Sequence, residues 1–211
     1  MDIMSIPARG APYTADDLDH MLGGRRHELV DGCLLVTGEP PLTPDDLDAM
    51  PDDGRRYELI NGSLLVTPAP SVLHQRVSMA LSRIMGSLCP PTLEVFAAPI
   101  DVTLPDLVVL QPDLIVAMRV DPLPRRLEDL PVLAVEILSP NTRTIDRGLK
   151  FELLRSAGCP SYWIVDPDEP RMTAWDLVDG AYVCVGDVAG DSSWTSTLPY
   201  AVTVTPAELI R

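Results

Sequence analysis

Lysine is almost missing from this chain of 211 residues: of its sixteen basic residues fifteen are arginine, and Lys150 stands alone. Histidine is scarce as well, and His20 and His27 lack a third partner at metal-ligand spacing, which excludes a zinc site. The cysteines Cys33, Cys89, Cys159 and Cys184 are scattered without a C-x-x-C pair. They point to buried thiols rather than to a zinc knuckle or a disulfide framework. No apolar run reaches the roughly 18 residues that span a bilayer, so no membrane association is expected. The opening "MDIMSIPARGAPY" lacks the basic-then-apolar build of a signal peptide, and the expected address is the cytoplasm. The tryptophans Trp163, Trp175 and Trp194 are too dispersed for a base-stacking platform and read as core or edge packing.

Positive charge is in short supply. Sixteen basic residues face thirty-one acidic ones, a formal net charge of -15. Such a surface opposes a broad nucleic-acid track, which needs a basic face to release counterions, but it leaves room for a small local site.

What is present is a core and a repeat. Hydrophobic residues make up 46% of the chain, enough for one domain with decoration. The phrase "RRHELVDGCLLVT" at residues 25–37 returns as "RRYELINGSLLVT" at residues 55–67. Each copy follows a helix-start signature, "YTADDLDHM" and then "LTPDDLDAM", where Pro44 suits the first helical position. Asp31-Gly32 and Asn61-Gly62, flanked by apolar runs, predict two tight hairpins. Asp17 and Asp46 lie 29 apart and Glu28 and Glu58 lie 30 apart, a duplicated helix-hairpin unit with one residue gained between its parts.

Downstream, Leu73, Val77, Leu81, Ile84 and Leu88 recur at three-to-four spacing and predict an amphipathic helix begun near Ser71. The stretches "LEVFAA", "IDVTLP", "LVVLQPDLIVAM" and "LPVLAVEILSP" read as strands. The segment "TIDRGLKFELLRSAG" reads as a second helix stopped by Gly158 and Pro160, before the strands "SYWIVDP", "MTAWDLV" and "AYVCVGDV". The pattern is an α/β or α+β fold, a mixed sheet with packed helices.

Two acids interrupt apolar strands. Glu136 in "VLAVEILSP" is either an edge residue with its side chain in water or a buried carboxylate that needs a partner or a metal. Asp113 follows Pro112, a residue that removes one ladder donor; it is either a turn former or a side chain re-aimed at a bulge. Lys150 lies one helical turn beyond Asp146. It reads either as a solvated helix position or as a compact, tunable cation able to orient or deprotonate a water nucleophile.

Pro112-Asp113, Glu136 twenty-three residues later and Lys150 together resemble the PD-(D/E)XK nuclease superfamily. More closely, "YELINGSLLVTPAP", "HQRV", "VLQPDLIV", "VEILSPNTRTIDRGLKFELLRSAG" and "SYWIVDP" resemble the Uma family of restriction-endonuclease-like proteins. The superfamily usually carries lysine two residues after the acid, where this chain has Leu138; Uma-like sequences resemble this chain in carrying it on the following helix. The resemblance implies a restriction-endonuclease-like core with flanking helices over residues 42–211, after an N-terminal extension over residues 1–41 that carries the first copy of the repeat. It implies that Asp113, Glu136 and the carbonyl of Ile137 hold Mg²⁺ or Mn²⁺, that Glu58 completes the acidic cluster, and that Lys150 positions the water. It also implies an endonuclease that hydrolyses DNA phosphodiester bonds by metal-activated water. The alternative is a noncatalytic binding or scaffold protein of the same fold, which the acidic composition favours.

Three further expectations complete the reading. His74 faces the site from its helix or is a surface residue at the helix start. Asp166 in "VDPDEP" is a turn former rather than a ligand. Only the second repeat leads into the helix and the acidic strands, so Glu58 reaches the cluster and Glu28 does not. The spare hairpin offers an edge strand to a second copy, and a homodimer is expected.

Overall fold

A computed structural model describes residues 11–18 and 24–211. The expectations for the first ten residues and for His20 lie outside them. Helix α1 (Ala15–Leu18) precedes the hairpin β1 (Arg26–Val30) and β2 (Cys33–Thr37), and α2 (Pro44–Asp48) precedes the hairpin β3 (Arg56–Ile60) and β4 (Ser63–Thr67). Thr43 caps α2 reciprocally with Asp46, and Pro44 opens the helix as its spacing predicts. The two hairpins have matching registers, Arg26 opposite Thr37 and Arg56 opposite Thr67. They lie in one sheet of order β1-β2-β4-β3-β7-β6, where β6 is Val102–Leu104 and β7 is Val108–Leu110.

A second six-stranded sheet has the order β12-β11-β10-β9-β8-β5. Its strands are β5 (Leu93–Ala97), β8 (Leu114–Met118), β9 (Leu133–Ile137), β10 (Ser161–Asp166), β11 (Arg171–Val178) and β12 (Ala181–Ala189). Strands β9 and β10 run parallel, joined through a π-helical stretch, Ile145–Lys150, that continues into α4 (Phe151–Ala157). Gly158 closes α4 in the left-handed conformation. A short pair, β13 (Trp194–Thr195) and β14 (Thr203–Val204), and helix α5 (Pro206–Leu209) complete the chain.

One expected strand divides. "LVVLQPDLIVAM" becomes β7 in the first sheet and β8 in the second, with Gln111-Pro112-Asp113 as the corner between them. Proline has no N–H to give a ladder, so pairing stops there and the chain changes sheets.

Side-chain alternation sorts the layers. Ile60, Leu65, Leu110, Ile115, Ala134 and Ile164, drawn from both sheets, meet in one core. Leu133, Val135 and Ile137 point the other way, onto Val77, Leu81 and Met85 of the long helix α3 (Val72–Leu88); the expected face is met at Val77 and Leu81, with Met85 buried in place of Leu88, which is exposed at the helix end. Leu59, Leu64 and Val66 face outward from the first sheet and are covered by Tyr13, Leu42 and Leu47. Trp163 is fully buried and packs edge-on against Trp194. All four cysteines are free; Cys33 and Cys159 are buried as expected, but Cys89 is only half-buried at the end of α3, and Cys184 is exposed because edge strand β12 turns it to solvent.

The second hairpin depends on its glycine. Gly62 sits at φ +76, and a Cβ there would lie 2.5 Å from that of Pro41. Gly62→Ala is expected to destabilise by about 1–3 kcal/mol. In urea melts the midpoint should fall with the slope unchanged, whereas Gly86→Ala, in open space on α3, should be neutral or slightly stabilising.

Candidate active site

Alternation also places the acids. On β3, Arg56, Glu58 and Ile60 share the face turned toward the second sheet; on β9, Ala134 and Glu136 share the face turned toward the first. Glu58 and Glu136 therefore approach each other from opposite layers, and Lys150 reaches between them from the end of the π-helical stretch. Its Nζ lies 2.9 Å from Oε1 of Glu58, 3.2 Å from Oε1 of Glu136 and 3.6 Å from Oδ1 of Asp146. All four residues are 1% exposed or less. A π-helical turn is a frequent feature of functional sites, and this one puts Asp146 and Lys150 on one face.

Asp113 stands at the corner, held from three directions. Its Oδ1 accepts from Arg56 at 2.6 Å, while its Oδ2 accepts from the Ile137 amide at 2.7 Å and pairs with Nε2 of His74 at 3.0 Å. His74 is buried at the start of α3, three residues after the Ser71 cap. Glu58 is fixed by the same corner, since its Oε1 accepts the Gln111 amide at 2.8 Å. That amide donates to a side chain at the point where the strand changes sheets.

The environment drives the buried carboxyls apart. Burial pushes Glu136 well above the usual carboxylate range despite Lys150, and pushes Asp146 up to about 6. Burial acts on Asp113 too, but the Arg56 charge and the His74 hydrogen bond more than offset it and hold its carboxyl well below the usual range. Desolvation disfavours the Lys150 ammonium, yet Glu136, Glu58 and Asp146 outweigh it and raise its pKa. Lys150 thus stays a cation. Of the two roles open to it in the sequence, orienting groups or stabilising charge suits a lysine paired with three carboxylates better than deprotonating a water.

The remaining sequence candidates fall elsewhere. Glu28, on the outermost strand of its sheet, pairs with Arg26, and its side chain is 40% exposed. Asp166 accepts the amides of Asp168 and Glu169 in a turn and is bridged by Arg143, away from the cluster. Sequence reasoning overlooked Arg56, which the period of two places on the Glu58 face, and gave Asp146 no role although it lies four residues before Lys150. Glu58 Oε2 and Glu136 Oε2 are buried without a hydrogen-bond partner. Among the described residues, no group of three or more His, Cys, Asp or Glu side chains is arranged to hold a metal ion. No helix among them is long and apolar enough to cross a membrane.

Residues 44–207 match the Uma2 family, described as "Putative restriction endonuclease". The chain belongs to the Uma2 family. The fold is also that of a crystal structure from Anabaena variabilis, described as "a putative nuclease belonging to DUF820", with a TM-score of 0.68. The two chains are 18% identical over 81% of this one and 98% of the other. Among curated proteins, none matches. In this Uma2 protein the family match takes in β3 through β14, so Glu58, Asp113, Glu136 and Lys150 lie within it, whereas Glu28 precedes it.

Lys150→Met would leave Glu58, Glu136 and Asp146 buried against an apolar stem. Glu136 and Asp146 hold their protons more tightly folded than unfolded, so at low pH both are neutral at little cost. The penalty of ionising them grows as pH rises through their folded pKa values, about 6 for Asp146. Lys150 offsets that penalty and is fully charged throughout. The variant should lose about 3–5 kcal/mol at pH 8 and distinctly less at pH 5, measured by urea unfolding; equal losses at the two values would contradict the electrostatic role.

Proposed function

We propose that this Uma2 protein is a metal-dependent endonuclease that hydrolyses DNA phosphodiester bonds with a metal-activated water. The observation that carries the reading is the meeting of Glu58, Glu136 and Lys150 between two sheets, with Asp113 held on the amide of Ile137 beside them. Asp113, Glu136, the Ile137 carbonyl and Glu58 would hold Mg²⁺ or Mn²⁺. The donor chemistry fits, since these are hard oxygen ligands and two buried carboxylate oxygens stand without a partner. When bound, the ion supplies an acidified water and a positive charge at the scissile phosphate.

The chain's own residues do the rest. Lys150 grips one oxygen of Glu58 and one of Glu136, which orients both carboxylates and leaves their second oxygens free. The Ile137 amide and His74 fix the rotation of Asp113. Lys150 sits behind the two carboxylates, and its charge offsets theirs, an electrostatic contribution that needs no proton transfer. Family membership and the shared fold give the nuclease reading its prior.

Calorimetry with Mn²⁺ should give binding to the wild type that Asp113→Asn and Glu58→Ala abolish and that Glu28→Ala leaves unchanged. Cleavage of single- and double-stranded DNA should depend on Mn²⁺ or Mg²⁺ and be lost in Asp113→Asn. Ion binding lost in Asp113→Asn, with no cleavage by any form, would favour a noncatalytic binding protein of this fold. Absence of ion binding in the wild type would overturn the proposal.

A further inference from the structure

A cavity of about 150 Å³ opens beside Asp113. Its walls are the end of β4 and the loop 68–71 leading into α3, the loop 138–142 after β9, Pro167 and the acidic Asp168 after β10, and the side chains of Arg56, His74 and Asp113. Arg56 is the sole lysine or arginine on that wall among the described residues, and its side chain is 17% exposed. Lys150 is sealed behind the cluster at 2%. A chain with net charge -15 repels a polyanion at long range, so a phosphate entering this cavity must be met by a local cation. A guanidinium suits phosphate as it suits carboxylate, through the same planar fork.

Oδ2 of Asp113 is already engaged by the Ile137 amide and His74, so the oxygen with a lone pair to spare is Oδ1, and there Arg56 sits at 2.6 Å. A divalent ion on Asp113 would share that oxygen with a guanidinium, and the two positive charges would repel at close range. A phosphodiester in the cavity offers Arg56 an equivalent anionic partner and relieves the conflict.

We infer that Arg56 is the phosphate-binding residue of this site and that it restrains Asp113 until a nucleic-acid phosphodiester draws it away, so that divalent ion and nucleic acid bind cooperatively. The inference rests on the metal-dependent reading above and adds to it the group that meets the substrate. Arg56 is then both an anchor and a guard: without substrate it competes with the ion for Asp113, and with substrate it turns to the phosphate. By linkage, the factor by which DNA tightens ion binding equals the factor by which the ion tightens DNA binding.

The test is calorimetry of the full chain with Mn²⁺, alone and in the presence of a short phosphorothioate DNA duplex that resists cleavage. In the wild type the duplex should tighten Mn²⁺ by about tenfold. Arg56→Met should bind Mn²⁺ alone about tenfold more tightly than the wild type, and its further gain from the duplex should shrink correspondingly. Arg56→Lys, which keeps the charge without the fork, should fall between them and decides the matter if the methionine variant does not fold. Unchanged Mn²⁺ affinity and unchanged gain in folded Arg56 variants, with binding still lost in Asp113→Asn, would overturn the inference and leave the proposed function standing. Absence of Mn²⁺ binding in every form would overturn both.

Discussion

A lysine buried to 1% exposure must be matched by negative charge, and the structure around Lys150 is organised by that requirement. One strand of the first sheet supplies Glu58, one strand of the second supplies Glu136, and the π-helical turn that carries Lys150 supplies Asp146. Removing Lys150 leaves Glu58, Glu136 and Asp146 uncompensated in the intersheet core. The ion cluster therefore specifies how the sheets and the crossover segment sit together, while the surrounding apolar contacts of Ile60, Ile115, Ala134 and Tyr162 supply bulk burial. Four buried carboxylates, Glu58, Asp113, Glu136 and Asp146, surround two fixed cations, Lys150 and Arg56. The excess is relieved at Glu136 and Asp146, the two whose pKa values are raised.

The corner at Gln111-Pro112-Asp113 does for the site what Lys150 does for the core. Proline stops the ladder, the chain leaves one sheet for the other, and the Gln111 amide turns to Glu58. The next residue is Asp113, whose Oδ2 takes the Ile137 amide one residue beyond Glu136. A backbone irregularity thus ties three acids into one constellation through two amides. Asp113 lies at the corner that opens β8 and Glu136 on the neighbouring β9, yet one is held strongly ionised and the other is pushed toward its neutral form. Differing environments for adjacent carboxyls are a common mark of a site built for chemistry.

Much of this was legible in the sequence because it rests on local periods. The hairpins follow from Asp31-Gly32 and Asn61-Gly62, whose residues adopt the positive φ that tight turns require. Helix α3 follows from the spacing of Leu73, Val77, Leu81, Ile84 and Leu88, although its buried stripe runs through Val77, Leu81 and Met85 and leaves Leu88 exposed at the helix end. Glu136 and Asp113 stand out because a charge in an apolar strand calls for an explanation. The division of "LVVLQPDLIVAM" between two sheets was not legible, because Pro112 marks an interruption without saying where the chain goes next. The partners of Asp113 were hidden for a similar reason: Arg56 lies 57 residues away and His74 lies 39 away, and only the stacking of two sheets and α3 brings them together. Cys184 escaped its expected burial because sequence shows apolar neighbours but does not show that β12 is an edge.

The twin hairpins separate local from tertiary information most clearly. Glu28 and Glu58 occupy the same register position, opposite Leu35 and Leu65, in strands of nearly the same sequence. Local structure treats them alike. They differ only in sheet order: β1 has a neighbour on one side, whereas β3 lies between β4 and β7 and is followed across β7 by the corner that carries Asp113. The first glutamate therefore finds solvent and Arg26, and the second finds the Gln111 amide and Lys150. The same applies to the arginines two residues before each glutamate. Arg26 is 77% exposed beside Glu28, while Arg56 reaches Asp113. One sequence motif thus yields a surface ion pair worth little in one copy and two members of a buried constellation, Arg56 and Glu58, in the other. What distinguishes the copies is the strand each hairpin lies beside.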